Sequence, residues 1–580
     1  MNIDIIVILA CLIFLVLSLS FELLKSTISF LLIICVISLS GILSPNEVLK
    51  IIANEQIAVI LMLMILGNVL RRSVLLDKLF KSLFKDGDSE KIFLSKLYFS
   101  IGTLSAFFNN TPLVAIVIPH VTRWGKRNNI SPSKLLIPLS FASIVGGGIT
   151  LIGTSANLIV NKMYIDNGGE GFHLFDFAII GIPIFLVSFV FIVFGNKLLS
   201  NRISIDESPT DSYLIEARIK NKSSIIGETV SQAGLRDLKN LFLVEIYRHN
   251  NDVILASPDL KIEKNDILIF AGDTNKAIDL LETHPSLELN NTSIELEDKQ
   301  EVIEAVIPYN SNLVGKKVKE SNFRAEFDSA IIGVRRNGEK VSGKIGELII
   351  ERGDMFLCVT GKNFYSKVNK GNDLYVISKV EELKNIDSKS SYLVLAGMTL
   401  AMFLAAFKVT SLFNSMLLIL TSLAVTKLVP FGEIRKSFNY NFLLIAGGAL
   451  VFGDAMNKTG LAEKIAFYCI SFFQPLGESA SLIGLFLITN ILASLMTNIA
   501  AIAVVFPIAV VISNSLGIDL FWTSMMIAFG GSKIFLTPIG YQTNLMVFGP
   551  GGYKNIDFIK YGGLLLLLVT ITIFLTLSFL

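Results

Sequence analysis

Apolar residues along this chain come in runs of about 20, the length that crosses a hydrocarbon layer. The runs form two blocks separated by a polar one. They predict spans near 3–20, 22–43, 55–71, 135–163 and 176–199, then near 391–408, 411–428, 441–457, 522–548 and 558–579. Two further apolar stretches are interrupted: 97–121 by Asn109, Asn110, Thr111 and Pro112, and 481–512 by Thr497 and Asn498. These predict re-entrant hairpins with polar tips. The intervening residues, about 205–388, mix short β-branched strands with charged turns.

The two apolar blocks read as one unit used twice. From Thr150 to Val160 (TLIGTSANLIV) and from Thr537 to Val547 (TPIGYQTNLMV), six of eleven positions are identical at an offset of 387. At an offset of 388, FFNNTPLVAIVIP (107–119) faces LMTNIAAIAVVFP (495–507), pairing Asn110 with Asn498 and Pro119 with Pro507. RSVLLDKL (72–79) lines up with KTGLAEKI (458–465). With five full spans per unit, the second copy is expected to lie inverted. Charge agrees. Arg71, Arg72, Lys78, Lys81, Lys85, Lys91, Lys96, Arg123, Lys126, Arg127 and Lys134 flank the first interrupted piece, whereas only Lys458 and Lys464 flank the second. By the positive-inside rule the first mouth and the polar middle are cytoplasmic, and both termini are external.

The polar middle repeats as well. LIEARIKNKSSIIGETV (214–230) matches VIEAVIPYNSNLVGKKV (302–318) at an offset of 88, and KIEKNDILIF (261–270) matches IIERGDMFLC (349–358). The expected organisation is a membrane repeat at 1–204, α+β domains at 205–290 and 291–388, and a second membrane repeat at 389–580. No G-x-G-x-x-G turn follows a strand in either copy, which argues against dinucleotide binding.

Composition supports this picture. Of 580 residues, 52% are hydrophobic and 17% charged, with a mean hydropathy of +0.63. That is the profile of a polytopic α-helical membrane protein in contact with lipid, in a cell (inner) membrane. The net charge of +2 carries no nucleic-acid signal. Four scattered cysteines and four lone histidines offer no metal or redox spacing. The N-terminus lacks a basic stretch ahead of its apolar run and is expected to be a retained first span. No nucleophile–base pair or phosphate loop suggests an enzyme, and no cofactor is expected.

Backbone groups freed by a broken helix need partners or a polar cavity. In transporters built from inverted repeats, half-helix N-termini favour anions, while freed carbonyls and amide oxygens hold cations. Asn157 and Asn544 supply amide oxygens, Gly153 and Gly540 allow close approach to the backbone, and Thr154 and Thr543 add hydroxyls. The competing reading is helix packing, which also uses Gly, Ser, Thr and Asn. Close helix contact is the expected role of Gly146, Gly147 and Gly148.

The pairing of NNT before Pro with IGTSAN, and of MTNIAA with TPIGYQTNLMVFGPGGY, resembles the divalent anion/sodium symporter family, which carries dicarboxylates or sulfate. The polar middle is similar to two copies of the C-terminal regulatory domain of potassium-uptake regulators, an insertion seen in sulfate-type members. The resemblance implies a homodimer working by an elevator motion. It also implies sodium as coupling ion at Asn110, Gly153, Asn157, Asn498, Gly540 and Asn544. The anion is implied near Asn109, Asn110, Thr111, Thr154, Thr497, Asn498 and Thr543. The family's tips usually read Ser-Asn-Thr, whereas here they read Asn-Asn-Thr (109–111) and Thr-Asn-Ile (497–499). Loss of a hydroxyl at Ile499 leans towards a compact anion such as sulfate over a dicarboxylate. The middle domains are expected to sense a small molecule or to brace the dimer.

Lys533 breaks the pattern. A lysine at a span centre costs roughly 2.5–3.5 kcal/mol on insertion scales. It could replace one sodium, contact the anion, or snorkel to an interface. Asp454 and Glu22 lie near span ends, where interfacial placement is expected. Other readings of the same scaffold are a cation/proton antiporter, a metalloid efflux carrier and a gated channel.

Overall fold

The computed structural model describes residues 3–579 except 22, 72–78, 81, 86, 202–213, 221–222, 236–237, 239–240, 249–251, 273–283, 285, 290–301, 309–310, 337–338, 342–344, 362, 369–372, 377–387, 407–408, 427–433, 436–437, 474–476 and 539. Glu22, most of the RSVLLDKL match and the expected boundaries near 205 and 290 fall outside the described residues. The chain divides into two compact units. One comprises Met1–Asn201, Asn385–Val547 and Lys554–Leu580; the other comprises Arg202–Lys384 and Phe548–Tyr553.

The first unit is helical. Its opening half holds α1 (Ile3–Ser20), α2 (Ser26–Leu39), α3 (Pro45–Ile52), α4 (Glu55–Arg71), α5 (Glu90–Ser105), α6 (Asn110–Arg127), α7 (Leu136–Gly146), α8 (Ser155–Asp166) and α9 (Ala178–Phe194). Its closing half holds α10 (Ser388–Ala406), α11 (Leu412–Val425), α12 (Tyr440–Thr459), α13 (Leu461–Phe473), α14 (Glu478–Leu495), α15 (Asn498–Leu516), α16 (Leu520–Ser532), α17 (Gln542–Phe548) and α18 (Gly563–Phe579). Among the described residues, six helical segments are long and apolar enough to cross a membrane. Side-chain oxygens start several helices: Ser89, Asn109, Asn439, Thr497 and Asp519 each accept a hydrogen bond from a first-turn amide. Gly460 and Gly517 end α12 and α15 with φ of +77° and +68°, the left-handed conformation that favours glycine.

From the hairpins onward the element order is the same in both halves, α5 to α9 matching α14 to α18. α5 and α14 start 388 residues apart, as do α6 and α15. The apolar stretches 135–163 and 522–548 are each two helices rather than one. α7 stops at Gly146 and α8 starts at Ser155; α16 stops at Ser532 and α17 starts at Gln542. Each interrupted piece is a helical hairpin, with turns at 106–109 and 496–497. Among the described residues, α3 and α13 lie beyond the expected spans. α13 has only 13 residues and carries Glu463 and Lys464 in its first half, too short and polar to register as a span.

Among the described residues, the second unit contains two five-stranded antiparallel sheets. Sheet one is built from β1 (Leu214–Ile219), β2 (Leu241–Arg248), β3 (Asp252–Leu255), β4 (Ile267–Gly272) and β5 (Leu287–Leu289), in the order β3-β2-β4-β1-β5. Sheet two is built from β6 (Val302–Val306), β7 (Ser329–Arg336), β8 (Glu339–Lys340), β9 (Met355–Thr360) and β10 (Tyr375–Val376), in the equivalent order β8-β7-β9-β6-β10. The offset of 88 residues governs both registers. Leu214 faces Ala271 as Val302 faces Val359, and the bulge between Leu243 and Glu245 returns between Ile331 and Gly333. Arg248 pairs with Glu263 and Asp266, and Arg336 pairs with Glu351 and Asp354, in matching clusters. Val244 of one sheet packs with Ala330, Ile332 and Val359 of the other.

Glu245 sits at that bulge, 3% exposed. Burial pushes its carboxyl up to about 7, against weaker opposing effects of Tyr247 and the nearby Arg324. A raised carboxyl binds its proton more tightly in the folded chain. Stability is therefore greatest below the unfolded value near 4.5 and falls as pH rises through 7. Glu245→Gln should remove that loss. In thermal unfolding of the full chain in detergent, the sheet infrared band of the variant should melt above wild type at pH 8. The gap should shrink steadily towards pH 5.

Candidate functional site: two hairpin tips and two helix breaks

Each break is closed by the same two hydrogen bonds. Thr150 Oγ1 donates to the Ala106 carbonyl, and Thr537 Oγ1 donates to the Ser494 carbonyl at 2.9 Å. Asn157 Nδ2 donates to the Thr150 carbonyl at 2.9 Å, and Asn544 Nδ2 donates to the Thr537 carbonyl at 3.2 Å. Thus a threonine ties each break to the end of the first arm of its own hairpin, and an asparagine seven residues on satisfies that threonine's carbonyl. Asn544 Nδ2 also donates to the Ile534 carbonyl at 2.9 Å.

Gly153 and Gly540 both lie against backbone oxygen of the protein itself. A Cβ at Gly153 would stand 2.5 Å from the Gly147 carbonyl oxygen and 2.9 Å from that of Ser105. A Cβ at Gly540 would stand 2.9 Å from the Ala493 carbonyl oxygen and 3.0 Å from Thr537 Oγ1. Ser105 and Ala493 end the first hairpin arms at equivalent positions. Each junction therefore gathers oxygens around a residue with no side chain, an arrangement suited to a hard cation or to tight backbone packing.

The tips differ. Asn109 Oδ1 accepts from the Thr111 amide at 3.2 Å. Asn110 is buried: its Oδ1 meets the Ser105 hydroxyl, and its Nδ2 donates to the Tyr541 hydroxyl at 2.7 Å. Thr111 Oγ1 donates to Gln542 Oε1 at 2.8 Å. Tip one thus touches break two directly. At tip two, Thr497 Oγ1 accepts from the Ala500 amide at 3.3 Å and Asn498 Oδ1 from the Ile499 amide at 2.9 Å, both local contacts.

A small open cavity lies between tip one and break one. Phe107, Phe108 and Asn109 line it from the tip, and Ile152, Gly153, Thr154 and Ser155 from the break. Ile60, Leu63, Gly67, Leu158 and Met398 complete it. The N-termini of α6 and α8 both open here. Thr154, the residue ahead of α8, makes no side-chain bond to its first-turn amides, whereas Asn109 caps the first turn of α6.

Other expected site residues turn inward. Thr543 and Asn544 are fully buried, and Ser140 Oγ meets Thr543 Oγ1 at 2.8 Å and donates to Asn544 Oδ1 at 2.7 Å. Both side-chain oxygens engage Ser140 of the opposite half and lie away from the cavity lining. Lys533 is fully buried and does not snorkel; its Nζ donates to the Ile144 carbonyl at 2.9 Å. Gly146 packs on the Gly102 backbone, as close helix contact requires.

Sequence reasoning passed over Tyr541, Gln542, Ser105 and Ser140. The first two carried a signal. They occupy the places of Thr154 and Ser155 in the repeat, where identity lapses.

The apolar helices and the comparisons with known proteins together make this a multi-pass membrane transporter. The citrate transporter (CitMHS) family model matches residues 12–530 and again 401–580, and the chain belongs to that family. It is 28% identical over 559 residues to an uncharacterized transporter of Synechocystis sp., covering 93% of this chain and 91% of the relative. It is 26% identical over 570 residues to an uncharacterized transporter of Escherichia coli, covering 92% of each. Sodium/sulfate cotransporter 1 of Chlamydomonas reinhardtii is 27% identical over 374 residues, 62% of this chain and 42% of that protein. The kinship is that of a permease like the divalent anion/sodium symporters.

Gly153→Ala forces a methyl group against two carbonyl oxygens. Transport by the folded variant should fall by about tenfold or more, with Gly540→Ala behaving alike. Uptake into vesicles, normalised to inserted protein, measures it.

Proposed function

We propose that the chain is a sodium-coupled carrier that takes up a compact divalent anion, sulfate before a dicarboxylate. The observation that carries this reading is the cavity where the N-termini of α6 and α8 meet beside Asn109 and Thr154. Two positive helix ends and few bulky polar groups suit a small anion. The oxygen-lined junctions at Gly153 and Gly540 suit sodium, with Asn110 and Asn498 at the tips and Asn157 and Asn544 bracing the breaks. The printed name of the Chlamydomonas relative supports both the ion and the anion.

The transport cycle follows from the duplication. Two copies of one hairpin-and-break unit, the second inverted, offer equivalent half-sites to opposite sides of an inner membrane. The hairpins and breaks move together as an elevator against α1, α2, α10 and α11, in a homodimer. The α+β domains at 205–290 and 291–388 are cytoplasmic regulators of the potassium-uptake C-terminal type that respond to a small-molecule ligand. Both termini are external.

Uptake of radiolabelled sulfate, succinate and citrate into proteoliposomes, with sodium or choline outside, tests the reading. Sulfate should accumulate only with sodium. Asn110→Ala should lower that uptake by about tenfold or more, through loss of both the tip and its bond to Tyr541. Asn498→Ala should do so while leaving the Asn110–Tyr541 contact intact. Sodium-independent accumulation of any of the three anions would overturn the coupling.

A further inference from the structure

Carbonyls at the end of a helix inside a membrane need donors. The two halves meet this need differently. At the end of α16, Asn490 Nδ2 on α14 donates to the Gly530 and Lys533 carbonyls at 3.1 and 2.8 Å. The residue equivalent to Asn490 in the first half is Gly102 on α5. There α5 and α7 lie so close that a Cβ at Gly146 would stand 2.2 Å from the Gly102 carbonyl oxygen. No amide side chain fits in that gap. Instead Lys533 reaches across from the second half, and its Nζ donates to the Ile144 and Val145 carbonyls of α7 at 2.9 and 3.3 Å.

The seat is shaped for a compact cation. A Cβ at Gly148 would stand 1.8 Å from Nζ, so only glycine leaves room there. The Phe529 ring lies 5.4 Å from Nζ and presents its negative face. The C-terminal end of α7 adds the negative pole of the helix. In the second half a neutral amide, Asn490, does the capping. A buried ammonium is costlier than an amide, and two carbonyl oxygens with a ring face are partners that favour the charged form.

We propose that Lys533 acts, in its protonated form, as a tethered cation in a seat that would otherwise take a dissociable monovalent cation. This deepens the reading of a cation-coupled anion carrier and rests on it. In that form its charge offsets part of the substrate's negative charge. Coupling then needs one dissociable cation fewer than it would without the lysine. Lys533 is a positioning residue: it holds α7 and the charge in place and does not line the cavity.

Lys533→Ala empties the seat, and methylammonium replaces the lost group. Thermal unfolding in detergent should rise with methylammonium for Lys533→Ala but not for wild type, with choline at equal ionic strength as control. Uptake by Lys533→Ala should depend on sodium more steeply than wild type, by about one further ion in the Hill slope. Lys533→Gln keeps a donor without the charge. Its KM for the anion should rise about tenfold, an effect equivalent to 1.4 kcal/mol of lost attraction. This second variant also carries the test if Lys533→Ala does not fold. The proposal is overturned if methylammonium and choline act alike on Lys533→Ala. It is equally overturned if Lys533→Gln matches wild type in KM and sodium slope, which would leave only a hydrogen-bonding cap. Absence of sodium coupling in wild type would strike the transport reading instead, and the unfolding comparison would still stand.

Discussion

A helix that stops inside a membrane leaves carbonyls and amides that no lipid can satisfy, and the polar part of this structure is organised around that constraint. The two bonds that close each break answer it first. Thr150 and Thr537 bind the ends of the first arms of their own hairpins, and Asn157 and Asn544 bind the carbonyls of those threonines. These bonds tie each hairpin to its break. Gly153 and Gly540 can then approach carbonyl oxygens more closely than any other residue allows.

Duplication does not mean identity of the two sites. Thr154 and Ser155 leave space at the first break, and that space is the cavity. Tyr541 and Gln542 stand at the equivalent places in the second break and use their extra length to reach Asn110 and Thr111. One half thus keeps an opening, and the other half supplies the brace across it. The same division recurs at the helix ends, where Asn490 caps its own half and Lys533 caps the opposite one.

The second unit shows how far a repeat can be followed in detail. An offset of 88 residues carries over from sequence to strand register, bulge and ion-pair cluster. Glu245 is the departure. Its counterpart is Gly333, and only the first copy buries a carboxylate at the bulge.

What could be read along the chain was whatever depends on neighbours in sequence. Span length, the polar interruptions at 109–112 and 497–498, the matched breaks and the offsets of 387 and 88 all follow from local patterns, because helix and strand periods are local. The positions of Asn110, Gly153 and Asn157, and of their counterparts Asn498, Gly540 and Asn544, at the tips and breaks were legible for that reason. Partners drawn from the opposite half were not. Nothing near Lys533 in sequence names Ile144 and Val145, and nothing near Asn544 names Ser140. Those pairings lie about 390–400 residues apart. Only the packing of the two halves decides which asparagine oxygens are already taken, which break keeps a cavity, and which carbonyls a buried ammonium must satisfy.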